Sequence, residues 1–66
     1  MMSHEENKVK VIGFLEKHPG YHPSKVIGAA VFGQKRGSAM IAANVCRRME
    51  KDGVIFTNGN GEYSAV

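Results

Sequence analysis

Gly33-Gln34-Lys35-Arg36-Gly37-Ser38-Ala39-Met40-Ile41-Ala42-Ala43-Asn44-Val45-Cys46-Arg47-Arg48-Met49-Glu50-Lys51-Asp52-Gly53 runs through a polar turn, a helix and a stop in succession. Gly33 to Gly37 is polar and bounded by glycines, which suits a turn. Ser38 is a good helix N-cap, because its side-chain oxygen accepts hydrogen bonds from amides of the first turn. Ile41, Ala42, Val45 and Met49 recur at helical spacing and predict a buried stripe. Cys46, beside Val45 and near Met49, reads as a partly buried cysteine at the core edge. Lys51-Asp52-Gly53 ends the helix, with Gly53 free to take the left-handed position after the cap. A helix is therefore predicted over 38–52.

Working upstream, Pro23 suits the first position of a second helix, where its missing N–H is no loss. Val26, Ile27, Ala30 and Val31 give that helix an apolar face, and Gly33 stops it, so it spans about 23–32. Before it, Ser3 and Glu6 form a capping box. Val9, Ile12, Phe14 and Leu15 follow near helical spacing, with Val11 widening the stripe. Pro19-Gly20 cannot continue the helix, which predicts a first helix over 4–18. Gly13 within it costs up to ~1 kcal/mol against Ala, which suggests a second backbone packed close by. Tyr21 is expected to pack down on the core from the interhelical turn.

Downstream the period changes. Val54-Ile55-Phe56-Thr57 is β-branched and aromatic, Asn58-Gly59-Asn60-Gly61 is a doubled Asn-Gly turn signal, and residues 62–66 alternate as a return strand. The order is helix, helix, helix, hairpin.

Composition bounds the function. The chain has 66 residues, nine Lys and Arg against six Asp and Glu, one Cys and no Trp. That is one small domain with a thin core, burying only about 60% of its unfolded surface. A single Cys forms no internal disulfide, no apolar run approaches the length of a membrane span, and the N-terminus lacks the order of a signal peptide. The expectation is a reduced, soluble, cytoplasmic protein, nucleoid-associated if bacterial; the start at Met1 favours a whole chain over an excised domain without deciding between them. From Lys17 to Met49 there is no Asp or Glu, while Lys25, Lys35, Arg36, Arg47 and Arg48 fall in that span. The positive charge is thus one-sided.

Two helices joined by a short polar turn, with a hairpin directly after the second, resemble the winged helix-turn-helix domains of small bacterial and phage transcription regulators. The Phe14-Leu15 end of the first helix, the Glu50-Lys51-Asp52-Gly53-Val54-Ile55 junction and the Asn58–Gly61 tip carry the resemblance, which covers nearly the whole chain. It implies an α+β fold: a three-helix helix-turn-helix core followed by a two-stranded β-hairpin wing. It also implies a regulator of transcription that inserts the third helix into the major groove of double-stranded DNA. The Gly33–Gly37 connection is longer than that of the simplest helix-turn-helix, and the wing tip has no Lys or Arg.

The residues fit that mechanism physically. With Ile41, Val45 and Met49 inward, Met40, Asn44, Arg47 and Lys51 share the opposite face, and Arg48 lies beside them. Asn bonds adenine bidentately, Arg does so for guanine, and Met40 with exposed Ala39 and Ala43 offers apolar contact to thymine methyls. Ser38 and the first amides of the helix make a phosphate seat flanked by Lys35 and Arg36, and Lys25 reaches the neighbouring strand. Asn58 and Asn60 meet the minor groove or the sugar-phosphate backbone, although both are also ordinary turn formers. A homodimer on a two-fold site is compatible with so small a reading surface.

Other chemistry finds no support. Gly28 to Lys35 falls one residue short of a phosphate-binding loop: Gln34 displaces the Lys, no Ser or Thr follows, and no strand precedes it. His4, His18, His22 and Cys46 fit no zinc spacing, and no Ser/His/Asp set exists. No catalytic residue, metal or cofactor is expected. Two rival readings stand beside DNA binding. One is a winged-helix protein-interaction module that docks through Ala39, Met40 and Ala43 with arginines as rim. The other, weaker for want of a helix aromatic and a Pro-Trp wing, is recognition of a left-handed duplex or of double-stranded RNA.

Overall fold

A computed structural model describes residues 4–65. Ser3, and with it the expected capping box, and the final Val66 lie outside the described residues. The elements run α1 (His4–Lys17), β1 (His22–Pro23), α2 (Ser24–Phe32), α3 (Ser38–Lys51), β2 (Phe56–Thr57) and β3 (Glu62–Ser64). The chain is α+β: three helices and a small antiparallel sheet of order β1-β3-β2, within 27 × 20 × 19 Å. Among the described residues no helix is long and apolar enough to cross a membrane.

The third strand is the main departure from the expected two-stranded hairpin. β1 pairs with β3 through His22↔Tyr63 and Pro23↔Glu62, and β2 pairs on the other side through Phe56↔Ser64 and Thr57↔Tyr63. Pro23 is therefore the N-cap of α2, with φ −68° and ψ 153°, and not its first helical residue. An edge strand tolerates Pro, whose missing N–H leaves no ladder bond unmade there. The hairpin is also shorter than the sequence suggests: Val54 and Ile55 precede the ladder, and the return strand ends at Ser64.

The core is Val11, Leu15, Ile27, Ala42, Val45, Cys46, Met49, Ile55 and Tyr63, with Ile12, Phe14, Val31 and Phe32 packed against it. Several expectations shift by one helical position. Val11 and Leu15, four apart, centre the buried face of α1, so Val9 points to solvent, 71% exposed. On α2 the buried pair is Ile27 and Gly28, leaving Val26 and Ala30 exposed. On α3 the stripe is Ser38, Ala42, Val45, Cys46 and Met49, and Ile41, expected inside, is exposed. Cys46 is fully buried, not at the core edge. Tyr21 is exposed, and the tyrosine in the core is Tyr63, whose strand pairs with His22 next to Tyr21 in the chain.

The close backbone approach suggested at Gly13 is found instead at Gly28. Gly13 is exposed, with nothing within 4 Å of where its Cβ would stand. At Gly28 a Cβ would lie 2.5 Å from the Ser38 carbonyl oxygen, so α3 begins across the backbone of α2. Gly28 thereby sets the height and angle at which α3 leaves the domain.

Candidate nucleic-acid interface

The geometry of α3 follows from its burial. Because Ala42, Val45, Cys46 and Met49 face inward, residues half a turn away must face out. Met40 is 69% exposed, and Asn44, Arg47 and Lys51 are exposed along the same line. Arg48 is exposed on one flank, the same flank that Ile41, itself 44% exposed, occupies about two turns earlier. Ala39 and Ala43, expected to be exposed, are half-buried on the other flank, where Glu50 lies about two turns beyond Ala43. Arg47 donates from its guanidinium to Asn44 Oδ1 across one helical turn. The two polar side chains at the centre of the face are therefore held as a pair.

Cations also gather at the N-terminal end of α3. An open cleft of about 530 Å³ is lined by Lys25 and Ala29 of α2, by Gln34, Lys35, Arg36 and Gly37 of the connecting turn, and by Ser38 and Ala39. The Ser38 amide donates to the Lys35 carbonyl at 3.1 Å, closing a four-residue turn. Its third residue, Gly37, has φ 87°, a value glycine adopts without strain. Gly37, not Ser38, is the N-cap of α3, and no side chain caps the helix. Ser38 is the first helical residue and only 8% exposed, so the phosphate seat expected around a solvent-facing Ser38 cap takes a different form. No acidic residue sits in the first turn of α3. Among the described residues, none of Lys25, Lys35, Arg36, Arg47, Arg48 and Lys51 forms an ion pair.

The hairpin tip is organised by its own side chains. Asn58 Nδ2 donates to Glu62 Oε1 at 2.6 Å, while Asn58 Oδ1 accepts the Asn60 amide at 2.9 Å. Thr57 Oγ1 accepts the Gly59 amide at 3.3 Å. Positive φ falls on Gly59 and Gly61 alone at the tip, so neither Asn adopts it. Asn58 thus spends both ends of its amide on the turn, whereas the Asn60 side chain is exposed.

The structure brings Met40, Asn44, Arg47, Arg48 and Lys51 onto one side of α3, and Lys25, Lys35, Arg36 and Ser38 around one cleft at its start. Asn58 and Asn60 belong to neither group: they sit on the turn between β2 and β3 and do not line the cleft. Sequence reading missed Gln34 and Ile41. Gln34 was legible as the middle of a polar turn; Ile41 carried no signal, since an apolar residue in an amphipathic helix is assigned inward. Away from this surface, burial pushes the Cys46 thiol up to about 11. Burial also raises the Tyr63 phenol, with Cys46 and Glu50 adding to the shift and Arg47 opposing it. Comparison with protein-family models, with curated proteins and with solved structures found no match to the chain.

Proposed function

We propose that this chain is a winged helix-turn-helix module that binds double-stranded DNA as a small transcriptional regulator, with α3 in the major groove and no catalytic step. One observation carries the reading: the outer face of α3 presents Met40, Asn44, Arg47 and Lys51 in line, with cations that form no ion pair among the described residues and no carboxylate in α3 before Glu50. A helix about 10–12 Å across enters a groove about 12 Å wide. The small Ala39 and Ala43 keep one flank slim. Arg47 and Asn44 offer the donors that read guanine and adenine edges. The β2–β3 hairpin that follows α3 in the chain serves as the wing, contributing shape more than charge.

Duplex binding measured by fluorescence anisotropy across a salt series tests this. Neutralising about five phosphates by Lys25, Lys35, Arg36, Lys51 and one of the arginines gives a log K against log salt slope near −4 to −5. A slope near zero, or no binding at low salt, contradicts the reading.

A second reading has its own support. Met40 and Ile41, both well exposed on the side of α3 that carries Arg47 and Arg48, resemble the Met- and Arg-rich composition of protein interfaces. On that reading the chain is a protein-interaction module, and its complex survives nuclease and high salt.

A further inference from the structure

We propose that the cleft between α2 and the start of α3 is a phosphate-binding site in its own right, which takes a phosphoryl group from a free phosphate ester or from a nucleic-acid backbone. It lies off the outer face of α3, and only its nucleic-acid source rests on the DNA-binding reading.

Three separate features converge there. Lys25 comes from the first turn of α2, and Lys35 and Arg36 from the connecting turn, yet all three line one cleft to which no carboxylate contributes. None of the three forms an ion pair among the described residues. Like charges held around one space repel, and a bound anion relieves that repulsion. Ser38 also lines the cleft and is more than nine-tenths buried. Its hydroxyl makes no hydrogen bond among the described residues and is not one of their buried unpartnered polar atoms, so it keeps contact with solvent and is open to a ligand. Finally, α3 starts at the cleft with a glycine N-cap, no side-chain cap and no acid in its first turn. The amides of Ala39 and Met40, too early in the helix for intrahelical acceptors, keep their donors and the partial positive charge of the helix end.

Together these supply point charges, a planar guanidinium, a hydroxyl and main-chain donors, the set that recognises a phosphate dianion. The volume of about 530 Å³ exceeds what a bare phosphate needs and is in the range of small-molecule sites, leaving room for an ester substituent.

The test is an amide NMR titration of the full chain with inorganic phosphate, against sodium chloride at matched ionic strength. Saturable shifts are expected at Ser38, Ala39 and Met40. The double variant K35A/R36A, at two exposed turn positions, should weaken phosphate binding about tenfold or more, as loss of charged hydrogen bonds does. R47A/R48A should leave phosphate affinity unchanged, even if it abolishes duplex binding or if the chain binds no duplex at all. Competition by a short duplex marks the backbone as a source. Tighter binding of glycerol phosphate than of inorganic phosphate, without duplex competition, marks a free ester. No saturable shift beyond the chloride control, or shifts that persist undiminished in K35A/R36A, overturns the proposal.

Discussion

The Ser38 carbonyl crosses Gly28 so closely that a Cβ at position 28 would stand 2.5 Å from its oxygen. Backbone, not a flexible side chain, occupies that space, so only displacement of α3 relieves the clash. G28A should therefore destabilise the domain by about 1–3 kcal/mol, as overpacked cores do. In a domain this small each kcal/mol lowers the melting temperature by about 4–8 °C. G13A is the control: the site is helical, exposed and open, so Ala should stabilise by about 0.4–1 kcal/mol. Thermal melts followed by circular dichroism check both, and an unchanged midpoint for G28A contradicts the crossing.

This pair of glycines also marks where sequence reading stops. Periodicity and turn chemistry located all three helices to within a residue or so, because Pro19-Gly20, Gly33 and Gly53 stop them for local reasons. Nothing local distinguishes a helical glycine facing solvent at 13 from one facing a backbone at 28. The phase of α3 has the same origin. A stripe of 41, 45 and 49 and a stripe of 38, 42, 45, 46 and 49 overlap heavily, and the Gly28–Ser38 crossing selects the second, burying Cys46 and exposing Ile41. β1 was invisible because two residues, one of them Pro, show no alternation; its partner, Tyr63, is far along the chain. The outer face of α3 was legible because it is the complement of any stripe centred on Val45 and Met49. The cleft was not, since it joins Lys25 to Lys35 and Arg36 only after α2 and α3 have packed.

Cys46 gives the fold a pH dependence. Burial disfavours its thiolate and raises its pKa from 9.0 to about 11. Above pH 9 the unfolded thiol loses its proton while the folded one keeps it. The stabilisation is complete below 9 and is lost as pH rises through about 11. Over that window about 2–3 kcal/mol disappears, at 1.36 kcal/mol per pH unit. The raised Tyr63 phenol acts in the same direction. Denaturant melts between pH 8 and 11 should show the fall, with a shallower slope in C46A. An equally steep slope in that variant contradicts it.

At the hairpin tip, Asn58 bonds Glu62 and the Asn60 amide with opposite ends of its side chain. N58A should cost about 0.5–1.5 kcal/mol of stability, the net worth of a typical hydrogen bond. N60A removes only an exposed side chain and should leave the denaturation midpoint unchanged. If N58A weakens duplex binding without lowering stability, Asn58 is a contact and not a turn former.

The bond from Arg47 to Asn44 Oδ1 couples two residues at the centre of the proposed reading face. Removing either releases the other, so their effects on duplex affinity should not add. A double-mutant cycle of N44A and R47A should give a coupling energy of about 0.5–3 kcal/mol. Strict additivity means that the two act independently on DNA.

The outer face of α3 as the duplex-binding surface is tested most directly by R47A/R48A in an anisotropy titration at fixed low salt. Both arginines are exposed and outside the core, so the melting temperature should hold while Kd rises tenfold or more. An unchanged Kd in a folded double variant would contradict that assignment.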